Sequence, residues 1–445
     1  MLKTFGIRHF QTLLLFGTMS VFYALRVNLS VAIVVMIDNK ANTHFEEYAW
    51  NEHVKGLLLG SFFIGYVTSQ VPSGYLSRRC GGKLLLLISL ISCSLLAILT
   101  PLCATIGNWQ LVLVSRIIQG VFQGSIFPAT HTILSQWSPV NERGLMSSCT
   151  YSGCQFGTFI MLASSGVLAA SRLGWPGIFY ISGSVGLFWA AIYNFFGCSS
   201  PKECRRLSQR EHELITSHWG DSELQVRRNS MHPPWSAFLK SCPFWALVTV
   251  HCTNNWGLWT LLTYMPVYIK NILHMDIKKN ALSSALPYFA MWILSFVFTA
   301  LSLWFRKREW ISLKTNRKLF NTIGHGTPAL TLVALGYVNS DHVIGAVALL
   351  TITVGVSSAS YLGYQINHID LSPNFAGILM GISNCLANIT GIVAPLTVAL
   401  IVTNEKSVEQ WRIVFFLASF LYLLGNTVFL VFADFDLQPW NDPKE

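Results

Sequence analysis

The chain alternates between long apolar runs and short polar connections from near its first residue to about position 433. Because roughly 20 consecutive apolar residues let a helix cross a bilayer, each run is a candidate transmembrane helix. The pattern predicts twelve such helices. Their predicted bounds are 11–36, 54–76, 84–105, 109–136, 144–170, 175–197, 241–268, 281–305, 318–338, 341–366, 373–402 and 410–433.

A longer polar segment separates the first six predicted helices from the last six. It mixes acidic and basic residues, which is typical of a short amphipathic helix on the cytoplasmic surface or of a linker between two bundles, and we favour the linker. We therefore expect an N-terminal six-helix bundle over 1–197, a cytoplasmic central loop over 198–240, a C-terminal six-helix bundle over 241–433 and a cytoplasmic tail over 434–445. The fold class predicted is an all-α polytopic membrane protein, with two homologous halves around a central cavity.

The composition excludes a single soluble domain. Apolar residues make up 52% of the chain and charged residues only 11%, whereas soluble domains carry about 25% charged residues. The net charge of +10 arises from connections at the membrane edge, so we expect no nucleic-acid partner. The ten cysteines include no Cys-x-x-Cys pair, and they predict neither a disulfide framework nor a metal site.

The distribution of charge predicts the orientation. Most basic residues fall at the N-terminus and in alternate connections, which the positive-inside rule assigns to the cytoplasm together with both termini. The first connection, on the opposite side, is acidic and holds Asp38, Glu46, Glu47 and Glu52. Acidic dileucine-like sorting signals are not evident near either terminus, which favours the plasma membrane over a lysosomal or vesicular membrane.

Two arginines lie inside predicted helices, Arg26 in the first and Arg116 in the fourth. A charge at the centre of a transmembrane helix costs about 3 kcal/mol on insertion scales, and the two positions fall at similar depths. Two such cations repel each other unless an anion, solvent or a counter-charge offsets them. The pair therefore indicates a site for an anionic substrate. The alternative is separate arginines that bond backbone carbonyls or extend to lipid headgroups.

Polar side chains accompany these arginines. Asn28 follows Arg26 by two residues, and Gln119 and Gln123 share one face of the fourth helix. They are candidates to bind substrate oxygens, or else to hold neighbouring helices together. His131, further along the same helix, is a candidate proton relay because histidine titrates near neutral pH. A hydrogen-bonded structural histidine is the alternative.

The seventh predicted helix carries a polar aromatic run that includes Asn254 and Trp256. These side chains are expected to line the cavity, and Gly257 would let the helix open locally. The fifth predicted helix has Gly153 and Gly157 at the spacing that allows close helix packing.

The eleventh predicted helix has Asn384 and Asn388 on one face, followed by Gly391 and Pro395. A helix that opens at Gly391 would present carbonyl oxygens to Na⁺; plain hydrogen bonding between helices is the alternative. The predicted helices hold no obvious carboxylate pair. Since proton-coupled carriers often use buried carboxylates, this scarcity favours Na⁺ or the membrane potential as the driving force.

Six segments, in order along nearly the whole chain, carry a family resemblance. They are Arg26-Val-Asn-Leu-Ser-Val-Ala, Gly60-Ser-Phe-Phe-Ile-Gly-Tyr66, Arg116-Ile-Ile-Gln-Gly120, Asn141-Glu-Arg-Gly144, Leu286-Pro-Tyr288 and Asn374-Phe-Ala-Gly-Ile-Leu-Met-Gly-Ile-Ser-Asn384. As a set they resemble the anion:cation symporter family (solute carrier 17) of the major facilitator superfamily, which includes phosphate, sialic acid and glutamate transporters. Within it the chain is most similar to the insect inorganic phosphate cotransporters. The resemblance implies the twelve-helix major facilitator fold.

The resemblance also implies roles for individual residues. Arg26 and Arg116 match the substrate-anion arginines of the family, and His131 matches a histidine important in the sialic acid carriers. Gln123 stands where proton-coupled members have glutamate and where renal-type Na⁺/phosphate members have glutamine. The glutamate carriers have histidine at the position of Leu59 and an arginine near Asn254, so glutamate transport is not expected.

The loop after the second helix departs from the superfamily pattern. Arg78 occupies the place of an acidic residue that usually precedes a basic one, here Arg79. The charge latch at the inner gate is therefore expected to be altered.

These observations together predict a secondary active transporter that works by alternating access. The expected cargo is inorganic phosphate or a small organic anion, taken up with Na⁺ as coupling ion. An H⁺-coupled or potential-driven organic anion carrier and a channel-like anion conductance are the alternatives. An enzyme is not expected, nor is any cofactor besides Na⁺ or an obligate protein partner; the bilayer is the expected environment.

Overall fold

The computed structural model describes residues 5–37, 47–216, 232–274, 277–338 and 342–442. Apart from short 3₁₀ turns, every regular element in these ranges is an α-helix. The helices of the amino-terminal half are α1 (Ile7–Ile37), α2 (Glu52–Cys80), α3 (Gly82–Gln123), α4 (Ile126–Trp137), α5 (Arg143–Ala170) and α6 (Gly174–Phe196). Two short helices follow, α7 (Gln209–Thr216) and α8 (Trp235–Lys240). The remaining helices are α9 (Cys242–Asn271), α10 (Ile277–Lys307), α11 (Leu313–Leu335), α12 (Val343–Ser357), α13 (Tyr364–Leu371), α14 (Ala376–Ile401) and α15 (Val408–Phe432).

The predicted all-α polytopic membrane fold is confirmed. Within the described residues, nine helical runs are long and apolar enough to cross a membrane, and one of them, Gly82–Trp137, is 56 residues long and holds two predicted spans. The helices α9 and α11 are of spanning length but more polar, because α9 carries adjacent asparagines and α11 carries several basic and amide residues. All ten cysteines are free, and the acidic residues Asp38 and Glu46 lie outside the described residues.

The third and fourth predicted spans meet at a sharp turn. Gly107 and Asn108 leave helical geometry, and Asn108 has a φ of 48°. This left-handed conformation is one that asparagine tolerates better than most residues. The Asn108 side chain is fixed there because its Oδ1 accepts hydrogen bonds from the Trp50 indole at 2.5 Å and the Trp109 amide at 2.8 Å.

The helix breaks lie at different places from those predicted. The prediction that the helices open at Gly257 and Gly391 was wrong, because α9 and α14 run continuously through these glycines. Each glycine instead admits a large side chain, since an added Cβ would press on the Tyr422 ring at Gly257 and on the Trp259 indole at Gly391. The fourth span breaks between α3 and α4, and the tenth is interrupted by a 3₁₀ turn, Ser358–Leu362, between α12 and α13.

The chain divides into two compact units. Unit 1 comprises Met1–Val140 and Gly153–Asn229, and unit 2 comprises Asn141–Ser152 and Ser230–Glu445. The first part of α5 therefore belongs to unit 2. It is fixed there by Ser148, whose hydroxyl accepts a 2.6 Å hydrogen bond from Thr299 on α10.

Small residues set the helix contacts within unit 1. An added Cβ at Gly153 would collide with the Phe16 carbonyl and one at Gly157 with the Ser20 carbonyl, so α5 touches the α1 backbone. The prediction that these two glycines serve packing is confirmed.

Candidate anion site

The guanidinium of Arg26 lies among four aromatic rings of unit 1. Its central carbon is 4.7 Å from the ring centroid of Tyr66, 4.9 Å from Phe62, 5.2 Å from Phe63 and 5.6 Å from Tyr23. Each distance is within the range at which a ring quadrupole attracts a cation. The rings stabilise the charge without neutralising it, so the half-buried guanidinium keeps its attraction for an anion.

Arg116 lies beside this cage, on α3, and is only 4% exposed. Its guanidinium carbon is 5.2 Å from the centroid of Phe62, the ring that it shares with Arg26. Its Nη1 donates to Gln119 Oε1 at 2.6 Å, and its Nη2 donates to the Arg26 carbonyl at 3.2 Å. The predicted proximity of the two arginines is thus present, and so is the backbone contact of the alternative interpretation.

The charge of Arg116 has only neutral hydrogen-bond acceptors. Within the described part of the chain it forms no ion pair with a carboxylate. Its Nε is buried and has no hydrogen-bond partner among those residues. A buried cation whose donors are incompletely used is costly, and an anion placed beside it would lower that cost.

The face of α3 that carries Arg116 is joined to α1 by three amide or guanidinium donors. Besides Arg116, Gln119 Nε2 donates to the Leu25 carbonyl at 3.2 Å and Gln123 Nε2 to the Phe22 carbonyl at 3.1 Å. Each carbonyl can accept these bonds in addition to its helical bond, because it has two lone pairs. Both glutamines therefore hold α1 against α3 in this structure, and a role in substrate binding stays a prediction.

Close packing of α2 on α3 fixes the aromatic cage beside the arginines. An added Cβ at Gly120 would collide with the Phe62 carbonyl, and one at Gly65 with the Ile117 carbonyl. The two backbones can approach so closely only because both positions lack a side chain. Phe62 and Tyr66 are thereby held over the guanidinium groups.

The other predicted residues of unit 1 have separate surroundings. Asn28 is buried and donates to Ser182 on α6 at 3.3 Å. His131 is fully buried on α4, with Nδ1 3.3 Å from the Phe127 carbonyl. At the end of α2, Arg78 is half-buried, and the exposed Arg79 stacks on Tyr75 at 4.7 Å. These contacts lead to Ser182, to the Phe127 carbonyl and to Tyr75, and the predicted roles of Asn28, His131, Arg78 and Arg79 stay predictions.

The predicted residues of unit 2 lie on two helices. Asn254 of α9 is buried and its Nδ2 donates to the Tyr364 hydroxyl at 3.1 Å, while Trp256 is half-buried. On α14, Asn388 Nδ2 donates to both oxygens of Asn384, the side-chain Oδ1 at 2.9 Å and the carbonyl at 2.7 Å. The two asparagines share one face as predicted, and Na⁺ ligation there stays a prediction.

Comparisons with known proteins agree with this architecture. The model of the Major Facilitator Superfamily matches residues 14–395. A Drosophila melanogaster protein named "Putative inorganic phosphate cotransporter" is 37% identical, over 100% of this chain and 88% of that protein. Sialin from Homo sapiens is 34% identical, over 97% and 90% of the two chains, and vesicular glutamate transporter 1 from Bos taurus is 32% identical, over 95% and 76%.

The chain belongs to the anion:cation symporter family of the major facilitator superfamily. A solved structure of the MFS proton:xylose symporter XylE has the same fold, with a TM-score of 0.73, 16% identity and coverage of 94% of each chain. The expectations of a multi-pass membrane transporter, with a small-molecule substrate and no enzymatic activity, are therefore confirmed.

Sequence reasoning missed a buried ion-pair cluster in this family member. Asp370 on α13 accepts from Arg143 Nη1 at 2.9 Å and from Arg317 Nε at 3.0 Å. Arg317 Nη1 also donates to the Leu362 carbonyl at 3.3 Å, which ties the 3₁₀ turn of the tenth span to α11. Asp370 stands between two apolar residues, Ile369 and Leu371, and that isolated carboxylate was the signal that could have identified the cluster.

Proposed function

We propose that this symporter-family member transports anions by alternating access, with Arg26 and Arg116 as the charge clamp for the substrate. The observation that carries the proposal is the side-by-side placement of two arginines on membrane-spanning helices, where the acceptors of Arg116 among the described residues are neutral. Guanidinium groups suit this role because their fixed N–H donors match carboxylate and phosphate oxygens.

For the cargo and the driving force, we propose inorganic phosphate taken up with Na⁺. The Drosophila relatives, which are named as inorganic phosphate cotransporters, support this cargo. The glutamine at position 123 supports Na⁺ over H⁺, because an amide cannot carry a proton through a transport cycle. The Asn384–Asn388 pair on α14 offers side-chain oxygens of the type that hard cations prefer.

A small organic anion is the second candidate cargo. The four rings around Arg26 favour it, because an organic anion has an apolar part that could pack on the faces of Phe62 and Tyr66. Relatives named sialin and vesicular glutamate transporter support this class of cargo. The driving force for such a carrier would be a proton gradient or the membrane potential.

The deciding experiment is uptake of radiolabelled phosphate into cells that express the chain, in Na⁺ medium and in medium where choline replaces Na⁺. We expect uptake in Na⁺ and its collapse in choline. Equal uptake in the two media would contradict Na⁺ coupling, and currents larger than the coupled flux would indicate a channel-like conductance. If phosphate enters in neither medium, the same cells are given sialic acid and glutamate across a pH step, and uptake there would support the second candidate.

We further propose that the protein resides in the plasma membrane with both termini in the cytoplasm. The positive-inside distribution of basic residues supports this orientation. A lysosomal or vesicular membrane is the alternative, and surface labelling of intact cells distinguishes the two.

A further inference from the structure

Three buried side chains of unit 2 form a hydrogen-bonded chain that the proposed arginine clamp does not use. His368 Nε2 on α13 is 2.7 Å from the Ser383 hydroxyl on α14, and His251 Nδ1 on α9 is 3.2 Å from the same hydroxyl. The exposed fractions of these side chains are 0%, 0% and 3% for His368, Ser383 and His251. One serine hydroxyl therefore bridges two imidazoles on separate helices.

Hydrogen-bond rules assign the direction of each bond when both rings are neutral. His368 Nδ1 is 3.1 Å from the Gln365 carbonyl, which can only accept, so this nitrogen carries the proton. Its Nε2 must then accept from the Ser383 hydroxyl. The serine oxygen is left to accept from His251 Nδ1–H, which gives an unbroken order from His251 through Ser383 to His368.

Adding one proton reverses this order without moving a heavy atom. If Nε2 of His368 is protonated, it donates to Ser383, and the serine hydrogen turns towards the Met380 carbonyl at 3.3 Å, or towards His251 Nδ1 when His251 carries its own proton on Nε2. A proton that arrives at Nε2 of His251 is passed on in two linked moves: Nδ1 gives its hydrogen to the serine oxygen while the serine gives its hydrogen to Nε2 of His368. His251 is then neutral with its proton on Nε2, His368 is charged, and the reverse moves return the proton. No atom outside the three side chains is needed for that transfer.

The ionisable groups around the hydrogen-bonded chain of His251, Ser383 and His368 are compatible with one added positive charge. The Asp370 carboxylate, two residues after His368, is already engaged by Arg143 and Arg317. The Tyr364 ring lies 5.2 Å from His251, and behind it His325 lies 5.9 Å from Tyr364 and 5.7 Å from Tyr422. Cys252 adjoins His251 on α9. The two imidazoles, 6.0 Å apart, would repel each other if both were charged, which favours one shared proton.

The backbone around the chain is also unusual. His368 lies on the short helix α13, which the 3₁₀ turn Ser358–Leu362 separates from α12. In transporters, discontinuous spanning helices are typical of the places where substrates and coupling ions bind. The fourth span, which carries Arg116, has a smaller irregularity: a turn at Gly124 and Ser125, both in right-handed helical geometry, lies between α3 and α4.

We propose that His251, Ser383 and His368 form a proton-binding site, and that its occupation makes anion uptake depend on pH. The inference rests on the proposed transport function but goes beyond its arginine clamp and its Na⁺ drive. A proton held in unit 2 adds a positive charge to a carrier that moves a negative one, so transfer across the low-dielectric membrane becomes less costly.

The test is the uptake of the transported anion, phosphate first, between pH 5.5 and pH 8 for the wild type and for His368→Gln. We expect wild-type uptake to fall as pH rises, because fewer carriers then hold the proton. In His368→Gln this site-dependent change should disappear. Because phosphate also titrates near neutral pH, the comparison is made between variants at each pH.

His325→Gln is the matched control, since His325 is equally buried in unit 2 but has no bond to Ser383. It should retain the wild-type pH profile, whereas His251→Gln and Ser383→Ala should lose it and Ser383→Thr should recover it. A flat wild-type profile would overturn the proposal, as would the same profile in wild type and His368→Gln.

A second measurement does not depend on transport. In purified protein with ¹³C-labelled histidine, NMR should show resonances of His251 and His368 that titrate together between pH 5 and pH 8 and separate in Ser383→Ala. Titration with no uptake of any anion would reject the proposed function and retain the proton site. Rings that do not titrate would reject the site itself.

Discussion

Arg116 and Arg26 contribute different properties to the candidate site. Arg116 is oriented by Gln119 and by a backbone carbonyl of α1, so its fork of donors has a fixed direction. Arg26 lies among ring faces, which attract its cation through their quadrupoles. Arg116 is thus oriented by hydrogen bonds, whereas aromatic rings surround the charge of Arg26. An anion placed beside both would satisfy two cations at once.

The direction of the Arg116 donors leads to the first prediction. Arg116→Lys keeps the charge but cannot make the bidentate, fixed-direction contact with an anion. We expect the half-saturating anion concentration to rise about 10- to 100-fold, as the loss of a charge-assisted hydrogen bond of about 1.5–3 kcal/mol implies. Arg412→Lys is the control, because Arg412 also stacks on a ring, Tyr337 at 5.1 Å, and bonds a carbonyl, but lies in unit 2.

Initial uptake rates, corrected for the amount of protein at the membrane, measure this effect. Unchanged half-saturation in Arg116→Lys would remove Arg116 from the clamp.

The arginine pair could be predicted from the sequence because a charge inside an apolar window is conspicuous. The hydrogen-bond partners of the polar residues could not be predicted from the sequence. Asn28 forms a hydrogen bond with Ser182 on α6 because α1 and α6 pack side by side, and no local sequence pattern indicates that contact. Asp370 and Arg317 were missed because they lie near predicted helix ends, where charged residues are read as connections.

Among the helices, the sequence pattern predicted interruptions in the wrong spans. Glycine and proline in α9 and α14 suggested openings there, yet these residues serve close packing against Tyr422 and Trp259. The fourth and tenth spans are interrupted instead, and they occupy equivalent positions in the two predicted halves. Such pairing is typical of transporters with internal repeats. Local composition cannot reveal it, because the tertiary environment decides where a helix unwinds.

The packing of α5 on α1 gives the second prediction. Gly157→Ala would force a Cβ into the Ser20 carbonyl, and overpacking of this kind costs about 1–3 kcal/mol. Gly166→Ala on the same helix meets no atom within 4 Å and should be neutral or stabilising by up to about 1 kcal/mol. In detergent micelles we therefore expect Gly157→Ala to lower the unfolding temperature, and Gly166→Ala to leave it unchanged or raise it. Equal values would show that α5 and α1 do not touch at Gly157.

The ion-pair cluster at Asp370 gives the third prediction. Asp370→Asn leaves Arg143 and Arg317 buried without their shared carboxylate, and breaking a buried pair typically costs about 3–5 kcal/mol. The control is Asp436→Asn, which removes an exposed carboxylate of the C-terminal tail. We expect a large fall in unfolding temperature for the first variant and little change for the second.

A double variant separates pairing from other effects at Asp370. Adding Arg143→Gln to Asp370→Asn should cost less than the sum of the single changes, because one of the unpaired charges is then removed. Strict additivity of the two changes would contradict a direct interaction between them.

At the scale of the whole molecule, the sequence predicted the twelve-helix fold. The bounds of the central loop stay a prediction, and the short helix α7 lies within them. The family resemblance was confirmed by the comparisons. The sequence did not predict which segments belong to which of the two units. The segment Asn141–Ser152 belongs to unit 2 because Arg143 and Ser148 bond partners more than 140 residues away in sequence. The local hydrophobic periodicity of a sequence does not reveal contacts between residues that are so far apart along the chain.

Two contacts of the central loop lead to the last prediction, which concerns the sides of the membrane. Glu211 on α7 accepts hydrogen bonds from the amides of Ile7 and Arg8, each at 3.1 Å, and from Arg8 Nη1 at 2.9 Å. The carboxylate therefore caps the first turn of α1, where a negative charge is favourable. The amino-terminal end of α1 must then lie on the same side of the membrane as α7.

The other end of the loop makes the corresponding contact with the C-terminal tail. Phe238 on α8 packs edge to face on Trp440 at 5.0 Å and on Phe375 at 5.5 Å. The segment that joins α7 to α8 is too polar to cross a bilayer, since it includes Asp221, Glu223, Arg227 and Arg228. We therefore predict that both termini lie on the side that holds the loop, and the positive-inside rule predicts that this side is the cytoplasm.

Epitope tags at the two termini and within the 38–46 connection test this assignment. In cells with only the plasma membrane permeabilised, antibody should reach both terminal tags. The 38–46 tag should be reached in intact cells if the protein lies at the surface, or only after full solubilisation if it lies in an internal membrane. A terminal tag that is accessible in intact cells would contradict the orientation. Glu211→Gln should leave the sidedness unchanged but lower the unfolding temperature, because the amide cannot replace the charge at the helix end.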